Sequence, residues 1–199
     1  MDPTPQPRSE IIDPPQERTG LSPLFNDATA DITFKSSDNI LFKIHSKHLQ
    51  TASAVLSLGS VSMDLAETVP LSEKSDVLEV LFQFIHPPQE GGNYRQPCVT
   101  EMEPNLFFRV AEAAEKYAVF AAMNVCLTWM HQVVEKYPFR VLNHSGKHDY
   151  TKLADEAAEA SVSVPSALAN AGRYITHPGT LARWVRPLFF FFFANPNGE

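Results

Sequence analysis

The chain of 199 residues is 44% hydrophobic, 11% aromatic and 20% charged, and 16 Lys+Arg against 23 Asp+Glu give it a formal net charge of -7. This composition fits one globular domain with appendages and excludes a multidomain machine or a wholly disordered protein. Phosphate neutralisation needs clustered cations, and the apolar run from Leu188 to Ala194 is far short of the roughly 18–20 residues that cross a bilayer, so neither direct nucleic-acid binding nor a membrane span is expected.

Residues 1–23 carry six prolines and no hydrophobic period, which predicts a disordered arm. The opening residues also lack an apolar h-region, and an intracellular protein, cytoplasmic or nuclear, is expected. From Asp31 the run DITFKSSDNILFKIH alternates around the polar turn Ser36 to Asn39, a β-hairpin signal that puts Ile32 and Phe34 on one face and alternates Phe42 and Ile44 with Leu41, Lys43 and His45. Leu49, Ala52, Val55 and Leu56 then recur at helical spacing before Gly59. Thr68 to Leu71 reads as a short edge strand because Pro70 lacks a ladder donor.

A helix is predicted from about Ser75 to Ile85, burying Val77, Leu78, Leu81, Phe82 and Ile85 and stopped by Pro87 and Pro88. Residues 86–104, with four prolines and two glycines, read as a loop insertion. Two helices follow between Pro104 and Pro138, and two short ones close the ordered part near Ala160. Residues 161–199 hold one acid and three arginines, hence about +2 against -9 for the rest, and read as a poorly ordered tail. Its phenylalanine run, Phe189 to Phe193, is an aggregation liability in water and is expected to be translated noncoding sequence.

Few residues suggest chemistry. His45 and His48 are spaced i, i+3 without a further ligand nearby, and His144 and His148 are spaced i, i+4 around Gly146 without the Glu of a zinc protease. Neither pair is read as a metal site; the first is assigned to the strand-to-helix turn and the second to a solvated polar face. Glu112 and Glu115 read as solvated charge beside Lys116. No nucleophile elbow, phosphate-cradling glycine loop, dinucleotide fingerprint or CxxC is present. Cys98 and Cys126 sit in unlike contexts, and no disulfide framework is expected. The chain is therefore expected not to be an enzyme, with no catalytic residue, cofactor or metal. The alternative from another class is a metal-dependent enzyme using His45, His48, His144 or His148.

The order of elements, hairpin, helix, short strand, helix and helical pair, resembles the BTB/POZ domain. Asp31 to Phe34 is similar to that family's opening strand. His45, Leu49 and Ser53 match its H-x3-L-x3-S pattern, and Ala113, Ala114, Lys116, Tyr117 and Cys126 match its A-A-x-K-Y and Cys helix pair. Residues 138–160 resemble the helical extension of fungal BTB proteins. The sequence departs from the family at Ala54, Leu56, Gly59 and His86, the last standing where a Tyr is common.

The resemblance implies an α+β fold, a small β-sheet flanked by a cluster of α-helices with extra C-terminal helices. It divides the chain into an arm (1–23), a BTB/POZ-like domain (24–137), an extension (138–160) and a tail (161–199). It also implies a protein-interaction module, self-associating as a homodimer, with protein partners. Leu65-Ala66-Glu67 fits the hydrophobic-x-Glu element of cullin-binding members, which makes Leu65 and Glu67 the expected contacts of a ubiquitin-ligase adaptor; an ordinary surface turn is the competing reading. A dimerisation scaffold in transcriptional regulation is the other alternative. Asp31 and His45 are expected to form a buried or half-buried polar pair that sets strand register, unless Asp31 caps the strand and faces water.

Overall fold

Residues 20–56, 68–86 and 96–194 are described by the computed structural model. Strands β2 (Ile32–Lys35) and β3 (Ile40–Ile44) form the expected hairpin, with Ile32 opposite Ile44 and Phe34 opposite Phe42. Those four side chains are buried, as the period-two alternation requires. Asn39 turns the chain at φ 68°, a left-handed position that Asn tolerates. The Ser36 hydroxyl closes the turn by accepting from the Ile40 amide at 2.9 Å.

Strand β1 (Gly20–Leu21) adds parallel to β3, and β4 (Thr68–Pro70) adds parallel to β2, giving the order β1-β3-β2-β4. Pro70 thus lies on an edge strand, where its missing N–H costs no interior ladder bond. The disorder expected through residue 23 does not hold for residues 20–23, and residues 1–19 lie outside the described part. The last residues of the arm pair with Ile40 and Leu41, Ser22 is buried, and its hydroxyl accepts from the amides of Leu24 and Phe25. The compensation for ordering is Phe25, which is 5% exposed and packs edge-on against Phe82 at 5.8 Å.

Helices α1 (Ser46–Ala52) and α2 (Ser75–Ile85) leave the sheet under remote caps. Asp31 accepts from the Ser46 amide and hydroxyl at 2.7 and 2.5 Å; Asp38 accepts from the Ser75 amide and hydroxyl at 2.7 and 2.6 Å. Each carboxylate satisfies an orphan N–H and meets the positive end of a helix. The expected face of α2 is buried, with Phe84 in addition, and Phe82 lies 5.4 Å from both Phe34 and Phe42 at the centre of the core.

A short 3-10 helix (Val99–Glu101) with Val99 buried anchors the end of the 86–104 loop, whose residues 87–95 lie outside the described part. Helices α3 (Pro104–Lys116) and α4 (Phe120–Val133) meet at a tight link, where Ala118 has φ 49° and Ser53 donates its hydroxyl to the Tyr117 carbonyl at 2.6 Å. Helices α5 (Pro138–Lys147) and α6 (Thr151–Val162) make the most extensive helix pair.

The region read as a poorly ordered tail is structured in its described part. Helix α7 (Ala167–Tyr174) and the first residues of α8 (Pro178–Ala194) lie against α5, with Ala171, Ile175 and Trp184 buried. Trp184 donates Nε1–H to the Ser161 hydroxyl at 2.8 Å and meets Phe139 edge-on at 5.7 Å. Asn143 Oδ1 accepts from the amides of Thr176 and His177 at the start of α8. The small anchoring set explains the difference: three widely spaced apolar residues, with no contiguous hydrophobic run among them, dock the segment onto α5. The fold is α+β, and among the described residues no helix is long and apolar enough to cross a membrane.

Candidate functional site

The N-terminus of α2, the outer face of α3, α5 and the end of α7 enclose a groove of about 910 Å³. Val77, Phe108 and Ala113 give it an apolar floor, while six Lys or Arg side chains line it against two glutamates. In a chain of net charge -7 that is strong segregation of positive charge.

Three of the cations are paired. Arg109 makes a forked pair with Asp76 at 3.0 and 2.6 Å, Lys116 meets Glu73 at 2.8 Å, and Lys147 meets Glu112 at 2.5 Å. Lys74, Arg140 and Arg173 have no carboxylate in ion-pair contact among the described residues. Arg140 is the most constrained of these, stacked over Phe108 with its guanidinium carbon 4.4 Å from the ring centroid and donating to Asn105 Oδ1 at 3.0 Å. Burial pushes its pKa down, the signature of a cation desolvated without full compensation. Such a group gains most when an anion arrives.

One wall is a charge network that differs from the solvated face expected for Glu112, Glu115, His144 and His148. His144 is only 3% exposed and donates from Nδ1 to Glu112 Oε1 at 2.7 Å, while Tyr150 donates to Glu115 at 2.6 Å. His148 reaches Glu112 at 3.2 Å. Burial works against ionising Glu112, but bonds from His144 and Lys147 overcome it and lower its pKa to about 2. The same pattern holds for His144, which burial would discharge and its two glutamates hold charged, so its pKa is raised. The sequence reading missed this because α3 and α5 face each other, turning two outer faces into an interface. Glu112, His144 and His148 do bring ligand atoms within 4.8 Å of one another, but the Lys147 ammonium already sits on that carboxylate and repels a dication.

Near the opposite end of α2, Asp31 and His45 make no hydrogen bond or ion pair of the expected kind. Asp31 is exposed and commits both oxygens to Ser46. His45 turns instead to His86, Nδ1 to Nε2 at 2.9 Å, and to the Thr29 hydroxyl at 3.1 Å. With His48 these form a second three-residue cluster. The four histidines of the metal-enzyme alternative therefore fall into two separate groups. Leu65 and Glu67, the expected cullin contacts, lie outside the described residues.

The groove cations Lys74, Arg140 and Arg173 were not singled out from sequence. The signal that could have found one of them is the positive balance of residues 161–199, which places Arg173 opposite an acidic remainder. No family model matches the chain, and no curated protein matches it.

Proposed function

We propose that the chain is a non-enzymatic protein-interaction module of BTB/POZ type whose basic groove docks an acidic segment of a partner protein. Support for the module comes from the residues that carry the resemblance, which occupy packing positions. Leu49 is fully buried, Ser53 ties α1 to the α3–α4 link, and Ala113, Ala114 and Cys126 lie in the core. Lys116 and Tyr117 both hold Glu73, at the mouth of the groove.

The observation that carries the docking reading is the set of three groove cations, Lys74, Arg140 and Arg173, with no carboxylate in ion-pair contact among the described residues. A segment rich in Asp or Glu matches these cations in charge, while the floor residues Val77 and Phe108 are buried and hold the walls in place. The test is fluorescence anisotropy of labelled glutamate-rich peptides against the full chain. Saturable binding that weakens between about 0.05 and 0.5 M salt, and falls at least tenfold in Lys74→Glu/Arg173→Glu, is expected. Both residues are exposed, so the charge reversal leaves the fold intact. No binding, or equal binding by the charge-reversed chain, overturns the reading.

A further inference from the structure

The pair His45 and His48 has no third ligand close in sequence, and the fold supplies one from 41 residues beyond His45. His45 occupies the junction of β3 and α1, His48 the first turn of α1, and His86 the residue after α2. The ring centroids lie 4.5 Å apart for His48 and His86, 5.2 Å for His45 and His86 and 6.0 Å for His45 and His48. One nitrogen from each ring falls within 4.8 Å of the others. A tetrahedral ion with bonds of about 2.0–2.1 Å needs nitrogens about 3.3 Å apart, within reach of small ring rotations.

The hydrogen bonds around His45 fix which nitrogen is offered. The Asp27 carboxylate accepts only, so the Thr29 hydroxyl, 2.8 Å from Asp27 Oδ1, donates its proton there. Thr29 must then accept from His45, which puts the proton on Nε2 and leaves the Nδ1 lone pair aimed at His86. That is the arrangement metal-binding imidazoles adopt, with the distal N–H held by a hydroxyl backed by a carboxylate. Asp27 Oδ2 also stands 3.8 Å from His45 Nε2, adding negative charge next to the cluster.

We propose that His45, His48 and His86 form a binding site for a divalent transition-metal ion of the Zn2+ class, with a fourth position open to water. Three imidazoles favour Zn2+ over the oxygen-seeking Mg2+ or Ca2+. His45 and His48 are partly buried, with enough surface left open to give the ion an entry path. The ion would clip the start of the seven-residue α1 to the end of α2, in place of the His45–His86 hydrogen bond that now spans this contact.

The experiment is a Zn2+ titration of the chelator-treated full chain, read by calorimetry and by thermal unfolding. A Cys98→Ser background removes the exposed thiol as a competing ligand. One ion per chain is expected, with a midpoint rise on the order of 5–10 °C at a hundredfold excess over Kd and none with Mg2+. His48→Ala should bind at least tenfold more weakly while keeping the metal-free midpoint, and His148→Ala should bind as the parent does. No Zn2+ shift in the parent chain, undiminished binding by His48→Ala, or loss confined to His148→Ala overturns the site. None of these outcomes bears on the acidic-peptide reading, which rests on a different face.

Discussion

His144 Nδ1 stands 2.7 Å from Glu112 Oε1 where α3 meets α5, and this contact sets the ionisation of both side chains. Glu112 has a folded pKa of about 2 against an ordinary 4.5, so its contribution to stability is present above pH 4.5 and is lost as pH falls towards 2. His144 is shifted upward from 6.5, so its contribution is complete below pH 6.5 and is lost as pH rises through the folded value. The pair therefore stabilises most between about pH 5 and 6.5. Because Glu112 is about one-third exposed, screening reduces the effect to on the order of 1–2 kcal/mol. Urea unfolding against pH should show this rise in the parent chain and a flatter profile in Glu112→Gln. Identical profiles would show that the contact carries no coupling.

The two remote caps make a second prediction. Asp31 and Asp38 sit at opposite ends of one hairpin, and each closes the first turn of a different helix. Burial works to raise both carboxyls, yet the bonds from Ser46 and Ser75 lower them, so both caps weaken as pH falls below about 4. Asp31→Ala and Asp38→Ala should each cost about 1 kcal/mol, or about 2–4 °C in Tm, and their costs should add because they share no partner. Calorimetry on the two single variants and the double variant checks this. An unchanged midpoint in Asp31→Ala would mean that water replaces the cap at no cost.

Local pattern made the central hairpin and the helical core legible in the sequence. Ile32, Phe34, Phe42 and Ile44 alternate with period two, Val77, Leu78, Leu81, Phe82 and Ile85 recur at helical spacing, and all these residues are buried. What pattern could not supply were contacts between segments far apart in the chain. Asp31 reads as a partner for His45, which directly follows the adjacent strand, but the carboxylate is taken by the Ser46 amide and hydroxyl at the start of α1. His86 stood out only as an unusual residue for the resemblance, and its role appears once α2 carries it against His45. Glu112 and His144 look solvated because each lies on the polar side of its own helix; their burial is a property of the pair. The groove depends on four separate elements and leaves no compact motif.

The thiols should differ sharply in reactivity. Cys126 is 1% exposed, and burial, aided by Glu115, pushes its pKa up to about 12, so almost none is thiolate at neutral pH. Cys98 is exposed. A disulfide exchange reagent at pH 7.5 should titrate one thiol per native chain quickly and the second only after unfolding. Two fast thiols would mean that α4 opens readily, against the packing of Cys126 within the core.

Gly146 supplies the sharpest test of how the C-terminal region is docked. A Cβ added there would lie 2.5 Å from Thr180 Oγ1 and 2.7 Å from its Cγ2. Thr180 is 3% exposed and its hydroxyl is bonded to His177 Nδ1 at 2.8 Å, so it has little room to give way. On helix propensity alone, Gly→Ala inside α5 would gain up to about 1 kcal/mol. With α8 seated on α5, overpacking costs about 1–3 kcal/mol, and the net sign reverses to destabilising. Removing the obstructing atoms in Gly146→Ala/Thr180→Ala should recover part of that loss, giving a favourable coupling in a double-mutant cycle by urea unfolding. Trp184→Ala, which empties the contact with Phe139 and leaves the Ser161 hydroxyl without its donor, should cost about 3–5 kcal/mol. A stabilised Gly146→Ala would mean that α8 does not rest on α5 in solution, because only in the docked arrangement does the new methyl meet Thr180.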